Sequence, residues 1–108
     1  MNYWSVEYTD EAAKDRSELD ASLRILVDKA IRKVSLNPLP NNEGGYGIPL
    51  GNKPGKNLAG FCKIKLKKPG IRVVYKIVRD GDIMKIIVIA ARSDDEVYEI
   101  AAKRSVSE

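Results

Sequence analysis

The sequence has no histidine and only one cysteine, Cys62, among its 108 residues. Without histidine, the side chain most often used to move protons near neutral pH is missing, so any catalysis has to borrow other groups. A lone cysteine cannot close an internal disulfide, and no cluster of Cys and His has metal-ligand spacing, which excludes a disulfide-built secreted scaffold and a zinc module. Long apolar runs are lacking too. The longest, Ile86 to Ala91, is far too short to span a bilayer, and the N-terminal residues lack the apolar run of a signal peptide. A cytoplasmic location is therefore the expectation. The chain is not short of core-forming residues: at 44% hydrophobic and 31% charged it escapes the disordered class, and one domain spanning 1–108 is expected.

Charge of one sign is absent from a whole third of the chain. The net charge of +4 and the pI near 9.2 conceal a block, Gly44 to Arg79, that contains Lys53, Lys56, Lys63, Lys65, Lys67, Lys68, Arg72, Lys76 and Arg79 and no acid. The segments on either side are both acidic, at −2 and −3. Nine cations without counter-charge repel one another, and the block makes most sense if a polyanion, nucleic acid or an acidic protein segment, neutralises it. The plainer reading is a lysine-rich sheet edge that deters aggregation.

Patterning predicts an α+β chain. Tyr3 to Tyr8 suits a first strand, and Thr9 followed by Asp10 and Glu11 caps a short helix running to about Leu19. Asp20 caps a second helix, in which Leu23, Leu26, Val27, Ala30, Ile31 and Val34 recur on one face, and Asn37-Pro38 ends it. From Asn37 to Asn57 four prolines and five glycines predict a long irregular connection. A three-strand antiparallel meander follows: Leu58 to Lys67, a Pro69-Gly70 turn, Ile71 to Val78, an Asp80-Gly81 hairpin turn, and Ile83 to Ala91 covered on both faces. Ser93-Asp94-Asp95-Glu96 is a capping box opening a C-terminal helix to about Lys103. One small sheet packed by helices results.

Within this frame, Lys63, Lys65 and Lys67 at period two form a row of cations about 7 Å apart on one strand face, opposite Cys62, Ile64 and Leu66. Arg72 lies just past the turn on the neighbouring strand, Arg92 leaves the last strand, and Tyr98 sits on the final helix. Cleavage of RNA by attack of its own 2′-OH needs a base, cations for the developing phosphorane charge, and an acid for the leaving 5′-oxygen. In a chain without histidine, a lysine whose pKa is lowered by neighbouring cations and burial is the candidate base. Arginine can fork a phosphate, and tyrosine can stack on a base or orient a phosphate. The scheme calls for no metal and no cofactor. Singly, each residue has a plainer reading: solvated strand lysines, an Arg92 that pairs Asp95 or Glu96, a Tyr98 that packs.

Taken together, Lys63-Ile64-Lys65-Leu66-Lys67, Gly70-Ile71-Arg72-Val73-Val74-Tyr75 and Ala91-Arg92-Ser93-Asp94-Asp95-Glu96-Val97-Tyr98 resemble the RelE toxins of the RelE/ParE superfamily, and the resemblance covers essentially the whole chain. It implies a toxin of a type II toxin-antitoxin system that cuts mRNA in the ribosomal A site as a metal-independent endoribonuclease. It also implies inhibition by a RelB-type antitoxin and a monomeric toxin that forms a hetero-oligomer with it. By position, Lys63 and Lys65 match the strand lysines that activate the 2′-OH and stabilise charge, and Arg72 matches the phosphate-stabilising arginine. Arg92 matches the general acid or transition-state clamp, and Tyr98 the tyrosine that positions the nucleotide. Lys67, Lys68 and Lys76 are read as RNA-binding. Two positions depart from the pattern: Cys62 stands where an aromatic is common, which would reduce packing near the basic row, and Lys67 where an arginine is common, which loses the fork.

Two other functions compete. The ParE branch shares the fold and poisons DNA gyrase without cutting RNA, but generally lacks this Lys/Arg/Tyr set. A passive domain whose positive block only binds its antitoxin is the other. Only activity separates the readings.

Overall fold

The computed structural model describes residues 3–51 and 58–106. Strand β1, Ser5–Tyr8, is followed by helix α1, Asp10–Ser17, and helix α2, Ala21–Val34. Both caps are those expected: the Thr9 hydroxyl accepts from the Ala12 N–H at 3.0 Å, and the Asp20 carboxylate from the Leu23 N–H at 2.9 Å. Strands β3, Phe61–Leu66, β4, Ile71–Val78, and β5, Ile83–Ala90, form the meander, and helix α3, Asp94–Val106, closes the described chain. The predicted α+β element order therefore stands.

The sheet is larger than a meander. Ile48–Pro49 forms a two-residue strand β2 antiparallel to β3, and β1 lies parallel to β5, so the order is β1-β5-β4-β3-β2. Strand β2 falls inside the segment predicted to be irregular. A proline is tolerated there because the strand lies at the sheet edge, where no further neighbour needs its missing N–H. The connection leading to it is fixed by close packing: the Tyr75 hydroxyl donates to the Pro38 carbonyl at 2.6 Å, and a Cβ on Gly47 would overlap that hydroxyl. Pro54, Gly55, Lys53 and Lys56, counted in the loop and the basic block, lie outside the described residues.

Both hairpin turns are longer than predicted. Val78 pairs with Ile83 and Leu66 with Ile71, so each turn spans four residues. Positive φ at Gly81 (92°), Asp82 (53°) and Gly70 (70°) supplies the reversals. Lys67 consequently sits in the turn and not at the end of the strand row.

The two faces of the sheet bury separate cores. Ile71, Val73 and Tyr75 of β4 and Met84, Ile86 and Ile89 of β5 pack with Ala12 of α1 and Val27, Ile31 and Val34 of α2. Val74 of β4 and Ile87 and Val88 of β5 pack on the other face with Val97, Tyr98 and Ala101 of α3. Two consecutive β5 residues face α3 because the register slips at Val74/Tyr75, where the ladder jumps from Val88 to Ile86. Strand β3 follows the predicted alternation: Cys62 joins the α1/α2 face and Phe61 the α3 face. Cys62, at 1% exposure, therefore lies across the sheet from the basic row and does not affect packing beside it.

Candidate active site

The α3 face of β3 and β4 sets the geometry of the basic cluster. Register places Lys63 opposite Val74 and Lys65 opposite Arg72, with all four side chains on the side covered by α3. Like charges directly opposite each other on a sheet are destabilising, so the Lys65–Arg72 pair calls for a counter-ion. Asp94, the first residue of α3, supplies one. Its Oδ2 accepts from Lys63 Nζ at 3.1 Å, and its Oδ1 accepts from Arg72 Nε. An acid at this position is also favoured by the helix N-terminus.

Ser93 places that carboxylate. Its hydroxyl accepts from the Glu96 N–H at 3.3 Å and lies 3.1 Å from Glu96 Oε1, so the capping signal read from the sequence is the device that starts α3 here. Arg92 contributes its backbone to the cluster, accepting from Arg72 Nη1 at its carbonyl, while its guanidinium donates to Glu96 at 3.2 Å and stays 58% exposed. The plain reading of Arg92 as an ion-pair partner of Glu96 thus holds in the free protein. An open depression of about 590 Å³ lined by Gly70, Arg72, Ala91, Arg92, Ser93 and Glu96 adjoins the cluster.

Lys63 is 8% exposed, and its Nζ also donates to the Tyr98 hydroxyl at 2.8 Å, with the ammonium 5.2 Å from the ring centroid. Burial pulls this ammonium toward neutrality, but the hydrogen bonds to Tyr98 and Asp94 outweigh it and the net direction is upward from the ordinary lysine value. That corrects the expectation of a lysine base with a lowered pKa: at Lys63 the neighbours that count are a carboxylate and a phenol, not other cations. Asp94 moves the other way. Desolvation would raise its carboxyl, but the hydrogen bonds from Lys63 and Arg72 hold it below the usual carboxylate range.

The structure therefore brings Lys63, Arg72 and Tyr98 together, with the Arg92 backbone beside them and Lys65 exposed at the rim. Tyr98 is 6% exposed, so its ring packs in the α3 core and its hydroxyl faces Lys63, which leaves no open ring face for stacking. Lys67 and Lys68 are exposed in the β3–β4 turn. Lys76 stands apart, four residues along β4 from Arg72 and so about 13 Å away. Its ammonium lies 6.0 Å from the Phe61 ring. Arg79, also counted in the acid-free block, pairs with Glu43 at 2.9 Å. Among the described residues, no group of three or more His, Cys, Asp or Glu could hold a metal ion, and no helix is long and apolar enough to cross a membrane.

Asp94 is the residue that sequence reasoning missed. It registered only as a cap position, although an acid one residue into a helix that starts beside the basic strands was a signal for a counter-ion. A second cleft of about 560 Å³ lies at β1, α1 and α2, lined by Tyr3, Trp4, Tyr8 and Arg32 among others, and carries none of the candidate residues.

No profile of a known protein family matches the chain. It is 26% identical over 104 residues to a RelE-like toxin protein of Escherichia coli, covering 94% of this chain and 96% of that one. It is 25% identical over 99 residues to the mRNA interferase toxin RelE of E. coli K12, covering 92% and 94%. The solved structure of a free E. coli RelE toxin variant superposes with a TM-score of 0.72 at 22% identity, covering 95% of this chain and 98% of that one. The same toxin bound to a peptide of its antitoxin RelB superposes with a TM-score of 0.69 at 23% identity over 95% and 98%. Over nearly its whole length the chain is similar in sequence to RelE toxins, and it shares their fold.

Proposed function

We propose that the chain, acting as one domain, is the toxin of a type II toxin-antitoxin system and cleaves mRNA in the ribosomal A site. The toxin assignment is supported by relatives named RelE and mRNA interferase and by solved complexes of RelE with its antitoxin. The observation that carries the chemistry is the convergence of Lys63, Arg72 and Tyr98, with Arg92 at the rim, where α3 meets β3 and β4.

The reaction this cluster suits is transesterification. The ribose 2′-oxygen attacks phosphorus, the P–O5′ bond breaks, one proton leaves the 2′-OH and one reaches the 5′-oxygen, and the products are a 2′,3′-cyclic phosphate and a 5′-hydroxyl. Lys63, held as an ammonium by Tyr98, and Arg72 stabilise the charge that develops on the phosphorane oxygens. Lys65, exposed on the same strand face, is the candidate to take up the 2′-OH proton. Arg92 is exposed enough to leave Glu96 and clamp the transition state or protonate the leaving oxygen. Tyr98 acts here as a positioning residue for Lys63. Lys67 and Lys68 extend the cationic rim toward flanking phosphates, and Lys76 binds RNA further along the sheet. The scheme uses no metal or cofactor.

A RelB-type antitoxin would silence this site by covering it, and the working location is the cytoplasm, where ribosomes are. The test is primer extension on a defined mRNA, with and without programmed ribosomes, for the parent and an Arg72→Ala/Arg92→Ala variant. Cuts at A-site codons that require ribosomes and vanish in the folded variant are expected. Intact mRNA with inhibited gyrase supercoiling would replace this function with the ParE one.

A further inference from the structure

The site cations are already occupied. Asp94 meets Lys63 with one carboxylate oxygen and Arg72 with the other, the paired-acceptor arrangement that a phosphodiester offers through its two non-bridging oxygens. We propose that Asp94 is an internal competitor for the Lys63–Arg72 pair: its carboxylate holds the place of the scissile RNA phosphate in the free protein and leaves when the phosphate arrives. The inference rests on the RNA-cleaving reading of this site.

Three features make the exchange physically simple. Each cation has a second tether that does not involve Asp94: Lys63 donates to Tyr98 at 2.8 Å, and Arg72 donates to the Arg92 carbonyl. Both therefore stay in position when the carboxylate departs, and the reorganisation that would oppose phosphate binding is small. The Asp94 side chain is 35% exposed, so water can receive it. The helix does not depend on it, because the cap is the Ser93 hydroxyl. The depression beside Arg72 and Arg92 gives the incoming chain an approach from the open side. Phosphate and Asp94 cannot share the same donors, because two anions side by side repel.

The consequence is selectivity for presented RNA. A free strand must outcompete a carboxylate tethered at high effective concentration, whereas RNA already held against the protein by the ribosome competes on the same footing. The internal anion thereby weakens capture of unbound RNA while leaving the cations in catalytic geometry.

The test uses a trinucleotide 2′-O-methylated throughout, which has no free 2′-OH and cannot be cleaved, so binding is read independently of activity. In calorimetric titrations, Asp94→Asn should bind the probe several-fold to about tenfold more tightly than the parent, since each of the two partly exposed ion pairs that must break opposes binding by roughly 1.5- to 5-fold. A second arm needs no substitution: carboxyl ¹³C spectra of the parent should show Asp94 titrating below the ordinary carboxylate range when free and shifted up when saturated with probe. Equal or weaker binding by folded Asp94→Asn, an unchanged Asp94 titration in the complex, or no binding by either protein would overturn the proposal. Tighter binding by the variant together with no mRNA cleavage on ribosomes by the parent would sustain the exchange and refute the cleavage function, and the reverse pair of results would refute the exchange alone.

Discussion

Lys63→Met tests whether the ammonium serves the proposed chemistry or the fold. The side chain is 11% exposed and lies opposite Val74 and beside Tyr98, so an unbranched methionine of similar reach keeps the packing and removes the ammonium with its desolvation cost and its hydrogen bond to the Tyr98 hydroxyl. The usual penalty for breaking a buried pair, about 3–5 kcal/mol, comes from stranding the remaining charge. Here Asp94 is not stranded: it keeps Arg72 and is 35% exposed. The variant should therefore remain within about 1 kcal/mol of the parent, a shift of no more than about 4–8 °C in melting temperature for a chain of this size. Single-turnover cleavage on ribosomes should fall by a factor of about 10² or more, the cost of losing one preorganised donor to a developing oxyanion. Urea unfolding followed by circular dichroism gives the first quantity and quenched primer extension the second. A loss of stability above about 2 kcal/mol would mean that the ammonium is a structural ion. Cleavage retained within a few-fold by a folded variant would refute its part in the chemistry.

Two further outcomes concern the scaffold. Arg104 near the end of α3 donates to both oxygens of Asp15, at 2.7 and 3.2 Å, and to the Ile87 carbonyl at 2.7 Å, with both side chains under one-fifth exposed. Arg104→Met should cost about 2–3 kcal/mol in urea unfolding, because it leaves Asp15 with the Ile89 N–H and the Ile87 carbonyl without its side-chain donor. A change below about 0.5 kcal/mol would contradict this. Stability should also fall at alkaline pH. Burial pushes the Cys62 thiol up from 9.0 to about 11 and raises the Tyr75 phenol further, so above pH 9 the unfolded chain releases protons that the folded one retains. Lys63, raised above 10.5, acts in the same direction: its contribution is present below that value and is lost as pH rises through its folded pKa. Asp94 and Asp28, both lowered, contribute above their unfolded values near 3.8 and are lost as pH falls through their folded ones. Urea midpoints that stayed level from pH 8 to pH 11 would refute this, since the Cys62 shift alone corresponds to about 2–3 kcal/mol.

Local rules carried most of the fold. Thr9, Asp20 and Ser93 cap their helices because short polar side chains next to apolar periodicity leave little other choice, and the alternation of β3 assigns each residue to its face. Three features were not legible because they are set by distant partners. The pairing of β1 with β5 is parallel and joins Ser5 to Ile83, for which no turn signal exists. Strand β2 forms because β3 offers it an edge, and its own two residues carry no pattern. The bulge at Val74/Tyr75 turns both Ile87 and Val88 toward α3, and a continuous apolar run gives no sign of where it will slip. The site was legible as a set of residue types and misread in its electrostatics. Lysine spacing predicted neighbouring cations, but the partners that decide the state of Lys63, Tyr98 and Asp94, come from 35 and 31 residues away.

Both partners are held by a helix fixed at both ends and along its length. At its start, Asp94 meets β3 and β4. Near its end, Arg104 meets Asp15 of α1 and the backbone of β5. Between them, Val97, Tyr98 and Ala101 are buried against the sheet. Exchange of Asp94 for a phosphate releases only the first of these attachments. The apolar contacts and the Arg104 clamp keep α3 in place, so Tyr98 continues to hold Lys63 while the anion changes. A looser helix would let Tyr98 follow Asp94 outward, and the lysine would lose both its oxygen partners when the substrate arrives. The stability invested at the far end of α3 is thus what allows its first side chain to be replaceable.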